Sequence, residues 1–178
     1  QNVISLDPFA IQKTEVFFGP GSVIYGSDAI GGVMSFQTIQ PQLSLQNKTL
    51  VKGKAVSRFS SANNEFSNHF DINVGGKKWS SVSSFTSNKF GDLQMGAHGP
   101  AEYLKPFYVQ RIDNIDQVIE NPKPQVQNPS GYSQINMMQK VRFSPNNYWD
   151  FQYGFHYSKT SAYSRYDRLI ETQPNGLP

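Results

Sequence analysis

The chain is patterned mostly with period two. Between Glu65 and Val74, Phe66, Phe70, Ile72 and Val74 fall on one side, and Ser67, His69, Asp71 and Asn73 on the other. The same alternation returns at Gln134–Phe143, where Ile135, Met137, Val141 and Phe143 share a face. It is cleanest at Trp149–Tyr157: Trp149, Phe151, Tyr153, Phe155 and Tyr157 stand against Asp150, Gln152, Gly154, His156 and Ser158. A Ser-rich run from Trp79 to Asn88 alternates less regularly. These runs predict strands of about ten residues, the length of a tilted strand that crosses a bilayer.

The connections between the runs are unequal. Ser60–Asn64, Gly75–Lys77 and Ser144–Tyr148 read as short turns, whereas residues 91–131 form one long excursion. A structureless loop of roughly 40 residues is unusual in a compact soluble domain. It is ordinary at the outer mouth of a transmembrane β-barrel, where turns on the other side are short. With the first strand running outward, Gly75–Lys77 and Ser144–Tyr148 both fall on the periplasmic side and the long loop outside. Inside that loop, Tyr108–Ile112 and Gln117–Glu120 flank Asp113-Asn114, which reads as a projecting β-hairpin. The competing reading is an amphipathic helix, since Val109, Ile112, Ile115 and Val118 recur every three residues.

The first 42 residues have another texture. A strand-like run, Thr14–Phe18, meets the turn Gly19-Pro20-Gly21, then Ser22–Tyr25, which suits a single helical turn. The pair Gly31-Gly32 precedes a second strand-like run, Val33–Thr38, and Ile39–Gln42 reads as a linker.

Composition narrows the class. Of the 178 residues only 16% are charged and 13% are aromatic, with Ser, Asn and Gln making up much of the polar remainder. That mixture disfavours a charged disordered chain and an ordinary cytosolic enzyme, and suits β-structure. The net charge of +3 comes from scattered basic residues, so no nucleic-acid partner is expected. The absence of cysteine removes disulfides, thiolate metal sites and a Cys nucleophile. No apolar run is long enough for a transmembrane helix, and no signal peptide is legible. The chain reads as an internal fragment of a longer one.

The segment from Glu15 to Phe36 resembles the end of the plug domain of TonB-dependent outer-membrane receptors. The matching positions are Glu15-Val16, Gly19-Pro20, Tyr25-Gly26-Ser27, Ala29-Ile30-Gly31-Gly32-Val33 and the polar linker that follows. Tyr132–Asn136 and Arg165–Leu169 are similar to segments of receptors of the Bacteroidetes type. Phe18 departs from the pattern, because an Arg often stands before the Gly-Pro and ties plug to barrel. Lys13 and Glu15 match charged positions upstream, which implies an ionic contact from plug to barrel.

The resemblance implies a mainly β chain: the C-terminal part of an α+β plug over 1–42, then about five strands of a 22-stranded transmembrane antiparallel β-barrel over 43–178. It implies an outer-membrane location and active import of a scarce nutrient, an iron–siderophore first, with haem, cobalamin or a glycan as competitors. The partners it implies are the TonB–ExbB–ExbD complex, outer-membrane lipid, the remainder of the receptor, and a partner lipoprotein or other outer-membrane subunits. The plug positions are Glu15, Gly19, Pro20, Tyr25, Gly26, Gly31 and Gly32. A structural or docking barrel is the alternative function, and a soluble β-sandwich the alternative class.

No enzyme chemistry is expected. His69, His98 and His156 lack metal-ligand spacing, the glycine-rich stretch lacks the Lys-Ser/Thr of a phosphate loop, and no nucleophile elbow is present. No cofactor or metal is expected. Ligand-binding candidates are Arg58, His69, Asp71 and His156 on the polar strand face, and His98, Tyr103 and Arg111 in the long loop. Trp79, Tyr148 and Trp149 suit an aromatic girdle beside the short turns.

Overall fold

A computed structural model describes residues 6–27, 29 and 31–163. Asp28, Ile30 and the Arg165–Leu169 segment lie outside the described residues. The chain is mainly β. β1 (Ile11–Phe18) and β2 (Gly32–Thr38) pair antiparallel, joined through a one-turn helix α1 (Ser22–Tyr25). β3 (Leu50–Ser60), β4 (Glu65–Gly75), β5 (Trp79–Phe90), β10 (Tyr132–Asn146) and β11 (Trp149–Thr160) form a five-stranded sheet in the order β11-β10-β5-β4-β3. Between β5 and β10 lie β6 (Leu93–Gln94), a 3-10 turn at Ala101–Tyr103, β7 (Phe107–Ile112), β8 (Ile115–Glu120) and β9 (Val126–Gln127).

The chain divides into two compact units, one of Gln1–Ala55, His69–Thr86 and Asn136–Ser158, the other of Val56–Asn68, Ser87–Ile135 and Lys159–Pro178. In the first, the β1–β2 ribbon runs from Phe18 opposite Gly32 to Ile11 opposite Thr38, with a bulge between Ile11 and Lys13. Gly32 ends this ribbon at φ +153°, and a Cβ there would meet the Phe17 carbonyl oxygen at 2.7 Å, so no larger residue fits. Ala10, Val82 and Met138 pack into a small core with Ile39 against it. The bulk of β5 on this side is small: Ser80, Val82, Ser84 and Thr86 are all buried, which leaves room for the N-terminal segment to lie on the sheet.

In the second unit, Phe107–Ile112 and Ile115–Glu120 pair as the hairpin that the sequence predicts, and the helix reading falls. Asp113 and Asn114 take φ +49° and +63°, the left-handed pair that a two-residue turn between twisted strands requires. The long excursion carries further structure, the two-residue ladder of β6 and β9. Its base is tied by Asp92, whose Oδ1 accepts from the backbone N–H of Ser130 at 2.7 Å and of Gly131 at 2.8 Å.

One expected turn is corrected. Ser144–Tyr148 reads as a turn in sequence, but β10 continues through Asn146. The Ser144 N–H donates to the Lys78 carbonyl at 2.6 Å, so the ladder extends to the residue before Pro145, whose nitrogen has no hydrogen to give. Asn146 Oδ1 then closes the turn by accepting from the N–H groups of Tyr148 and Trp149.

Candidate functional site

Burial in the sheet runs opposite to hydrophobicity. Along β4 every second residue, Glu65, Ser67, His69, Asp71 and Asn73, is buried, whereas Phe66 and Phe70 are each 50% exposed. β5 behaves alike, with Ser80, Ser84, Thr86 and Asn88 buried and Trp79 and Phe85 open. β11, at the edge, is open on both faces: Trp149, Phe151, Tyr153, Phe155 and Tyr157 are exposed, and so are Asp150, Gln152 and His156. A soluble sandwich buries its aromatic face. Here the covered face is polar, and in the first unit the N-terminal segment covers it.

The densest chemistry is on that covered face. The His69 side chain has no solvent exposure. Its Nδ1 stands 2.7 Å from Thr86 Oγ1 and its Nε2 2.9 Å from Asp71 Oδ2. Thr86 Oγ1 in turn donates to Asp7 Oδ2 at 2.5 Å, and Phe9 stacks on the imidazole with ring centroids 5.3 Å apart. Lys54 Nζ lies 3.6 Å from Asp71 Oδ2 and donates to the Phe9 carbonyl at 3.3 Å. Buried charge of this kind persists only when paired and hydrogen-bonded. Two of the candidate residues, His69 and Asp71, are therefore brought into direct contact. Asp7, Thr86 and Lys54, which complete the set, carry no local sequence signal, because Asp7 and Thr86 are 79 positions apart.

His156 sits nearby on β11, bordering a cavity of about 200 Å³ together with Asp7, Thr38, Asn136 and Ser158. Asn136 accepts from the Ser158 hydroxyl at 2.7 Å, and its Nδ2 is buried without a partner. Lys140 Nζ donates to the Thr38 hydroxyl at 2.7 Å, a further tie from sheet to N-terminal segment. At the turn end, Arg142 grips Asp150 through Nε and Nη2, at 3.0 and 2.5 Å.

The remaining candidates lie in the second unit. Arg58 is bonded through Nε and Nη2 to Glu65, which also accepts from Ser67 at 2.7 Å. Tyr103 borders a cavity of about 330 Å³ with Leu93, Gln94, Met95, Lys105 and Gln125. His98 is exposed in the turn before the 3-10 segment. Arg111 is exposed at the hairpin tip, 3.7 Å from Asp116 across the ribbon. Among the described residues, no group of three or more His, Asp and Glu is placed to hold a metal ion.

The glycine-rich motif is compact. Gly21 N–H donates to the Ala29 carbonyl at 2.8 Å, Ala29 N–H to Gly26 at 3.1 Å, and Gly19 N–H to Gly31 at 3.4 Å. Tyr25 stacks against Phe17, and Pro20 is exposed. Gly26 takes φ +97° and Gly32 closes the ribbon. Lys13 and Glu15, two residues apart on one face of β1, pair with each other at 2.7 Å, and Gln37 donates to Glu15. Asp7, Phe9 and Thr38 tie the N-terminal segment to the sheet.

Among the described residues no helix is long and apolar enough to cross a membrane. No family model matches the chain, and no solved structure does. A stretch of 38 residues, 21% of the chain, is 42% identical to a hemin receptor of Yersinia enterocolitica and spans 6% of that protein's length. The chain thus carries a stretch similar to part of a receptor.

Proposed function

We propose that residues 1–42 are the end of a plug and residues 43–178 the first strands of a TonB-dependent outer-membrane receptor, which imports a scarce iron chelate. The observation that carries this reading is the inverted burial of β4 and β5, with aromatic side chains outward and polar ones buried, His69, Asp71 and Thr86 of the first unit beneath the N-terminal segment. An exposed aromatic face suits lipid, and a polar inner face suits a lumen filled by a plug. Five strands leave two open edges, which the remaining strands of a barrel pair. The short similarity to a hemin receptor supports a receptor and brings haem beside an iron–siderophore as the cargo. On this reading the TonB–ExbB–ExbD complex supplies the energy, and Tyr103, His98 and Arg111 belong to the outer ligand-capturing loop. His156 and the cavity beside Asn136 border the route inward.

The test is iron-limited growth of a host that lacks its own receptors but makes the polypeptide carrying these residues. Growth on haem or a ferric siderophore that disappears when TonB is deleted supports the reading. Surface display without any TonB-dependent uptake overturns it in favour of a docking barrel. That second reading draws on the β7–β8 hairpin, which holds Phe107, Ile115 and Val118 half open to solvent.

A further inference from the structure

We propose that Asp7, Thr86, His69 and Asp71 form a proton-dependent latch that fastens residues 6–10 to the sheet and lets go as the pH rises. The argument is a count of hydrogens. Three contacts run in series: Asp7 to Thr86 at 2.5 Å, Thr86 to His69 at 2.7 Å and His69 to Asp71 at 2.9 Å. Each needs one hydrogen between its two heavy atoms. The Thr86 hydroxyl brings one, a neutral imidazole brings one, and two carboxylates bring none. The series is one hydrogen short.

One additional proton completes it, and its position does not matter. On the ring, it makes His69 a donor at both nitrogens. On Asp7, the acid donates to Thr86, Thr86 to Nδ1, and Nε2–H to Asp71. On Asp71, the acid donates to Nε2 and the direction reverses. All three arrangements hold the same number of hydrogens, so the additional one belongs to the series and to no single residue. Loss of that proton leaves two acceptors facing each other in one contact. The His69 side chain is fully covered, so water does not reach the ring to fill the gap.

The charges close around the same proton. Asp7 and Asp71 are balanced by Lys54 and the shared proton, and its removal leaves one net negative charge on a covered face. β5 contributes the uncharged Thr86. From β10 and β11, Lys140 and His156 face the same region, Lys140 through Thr38 and His156 across the cavity it shares with Asp7. Neither provides a hydrogen to the series.

What the latch fastens is well defined. Asp7 Oδ1 accepts from the Phe9 N–H at 3.0 Å, and the Asp7 carbonyl accepts from Ala10 N–H at 3.1 Å, so residues 7–10 form one tight turn. Phe9 lies on the face of the same imidazole whose edges make the series. Ala10, only 4% exposed, is the residue that the turn tucks into the core. The importance of release for passage rests on the plug reading above, whereas the latch itself does not.

These 178 residues hold no cysteine, so Ala10→Cys adds their one thiol; its maleimide labelling rate, corrected for labelling of the unsubstituted polypeptide, is divided by that of fully exposed Leu45→Cys at each pH. The ratio is expected to be low at pH 6 and about tenfold higher at pH 9, because the series lacks its additional hydrogen at the higher pH. Thr86→Val removes the middle link, and labelling is expected to be fast at every pH. Asp71→Asn works the other way: its amide donates to Nε2 and supplies the missing hydrogen, so labelling stays slow up to pH 9. A loss of fold does not produce slow labelling, which keeps that arm informative. A flat ratio without these substitutions, or a pH step that survives Asp71→Asn, overturns the proposal. Neither readout depends on uptake of any ligand.

Discussion

The carbonyl oxygen of Gln42 lies so close to Gly75 that a Cβ there would stand 2.1 Å from it. Asn73 brackets the same residue, accepting from the Gln42 N–H at 2.8 Å and donating to its carbonyl at 3.3 Å. Ser44 N–H then donates to the Gly76 carbonyl at 2.9 Å. The chain that leaves β2 is thus laid along the end of β4. Gly75→Ala forces the two backbones apart and is expected to cost about 1–3 kcal/mol. Thermal unfolding in detergent checks this, with Gly96→Ala, whose surroundings are open, as the neutral comparison.

The two faces of β11 make a prediction that separates a membrane strand from a soluble one. Phe155→Arg puts a charge on the aromatic face, which costs about 2–4 kcal/mol near the middle of a bilayer. Folding into lipid vesicles is expected to fail or slow sharply. Gln152→Arg, on the face with Asp150 and His156, is expected to fold normally. In a water-soluble sheet Phe155 is already exposed, and both variants would behave alike.

The hairpin of the long excursion depends on two left-handed residues without a glycine. Asn114→Gly is expected to tighten it by up to about 1 kcal/mol, and Asn114→Val to loosen it by about 1–2 kcal/mol, because a β-branched residue clashes at positive φ. Protease cleavage within 107–120 reads the difference: slower for the first, faster for the second.

Asn121 secures the stem of that hairpin. Its Nδ2 donates to the carbonyls of Lys105 at 2.8 Å and Val126 at 2.9 Å, and its Oδ1 accepts from Lys123 N–H at 3.0 Å. Asn121→Ala leaves three backbone groups without their partner at a nearly buried site, a local loss of about 1–3 kcal/mol. Hydrogen exchange of amides in 105–126 is expected to speed up while β4 and β5 stay protected.

Period two made the strands of the sheet legible, and Asp113-Asn114 made the hairpin legible. Which face is covered was not a matter of periodicity. Phe66 and Ser67 alternate identically whether the phenylalanine or the serine is inside, and only the unequal connections and the resemblance of Glu15–Phe36 tipped the balance outward. The end of β10 was hidden by Ser144-Pro145-Asn146, a turn signal in isolation that the ladder to Lys78 overrides. The polar series was legible in half. His69 and Asp71 share a strand face and could be paired by counting, whereas Asp7 and Thr86 meet only because the N-terminal segment folds back on β5. Lys13 and Glu15 pair with each other over two residues, a contact that their spacing on one strand face makes legible.

The Asp92 tie at the base of the excursion has a consequence for how such a chain can change. One carboxylate holds both ends of the loop together, through the N–H groups of Ser130 and Gly131, and Gly91 N–H is bonded back to Asn63 at 2.7 Å. The strands therefore meet a closed socket rather than a free length of chain. Because closing a longer loop adds entropy cost only slowly, whatever is seated in that socket can be exchanged, lengthened or trimmed with little effect on β5 and β10. The excursion can be rewritten while the strands that carry it stay as they are.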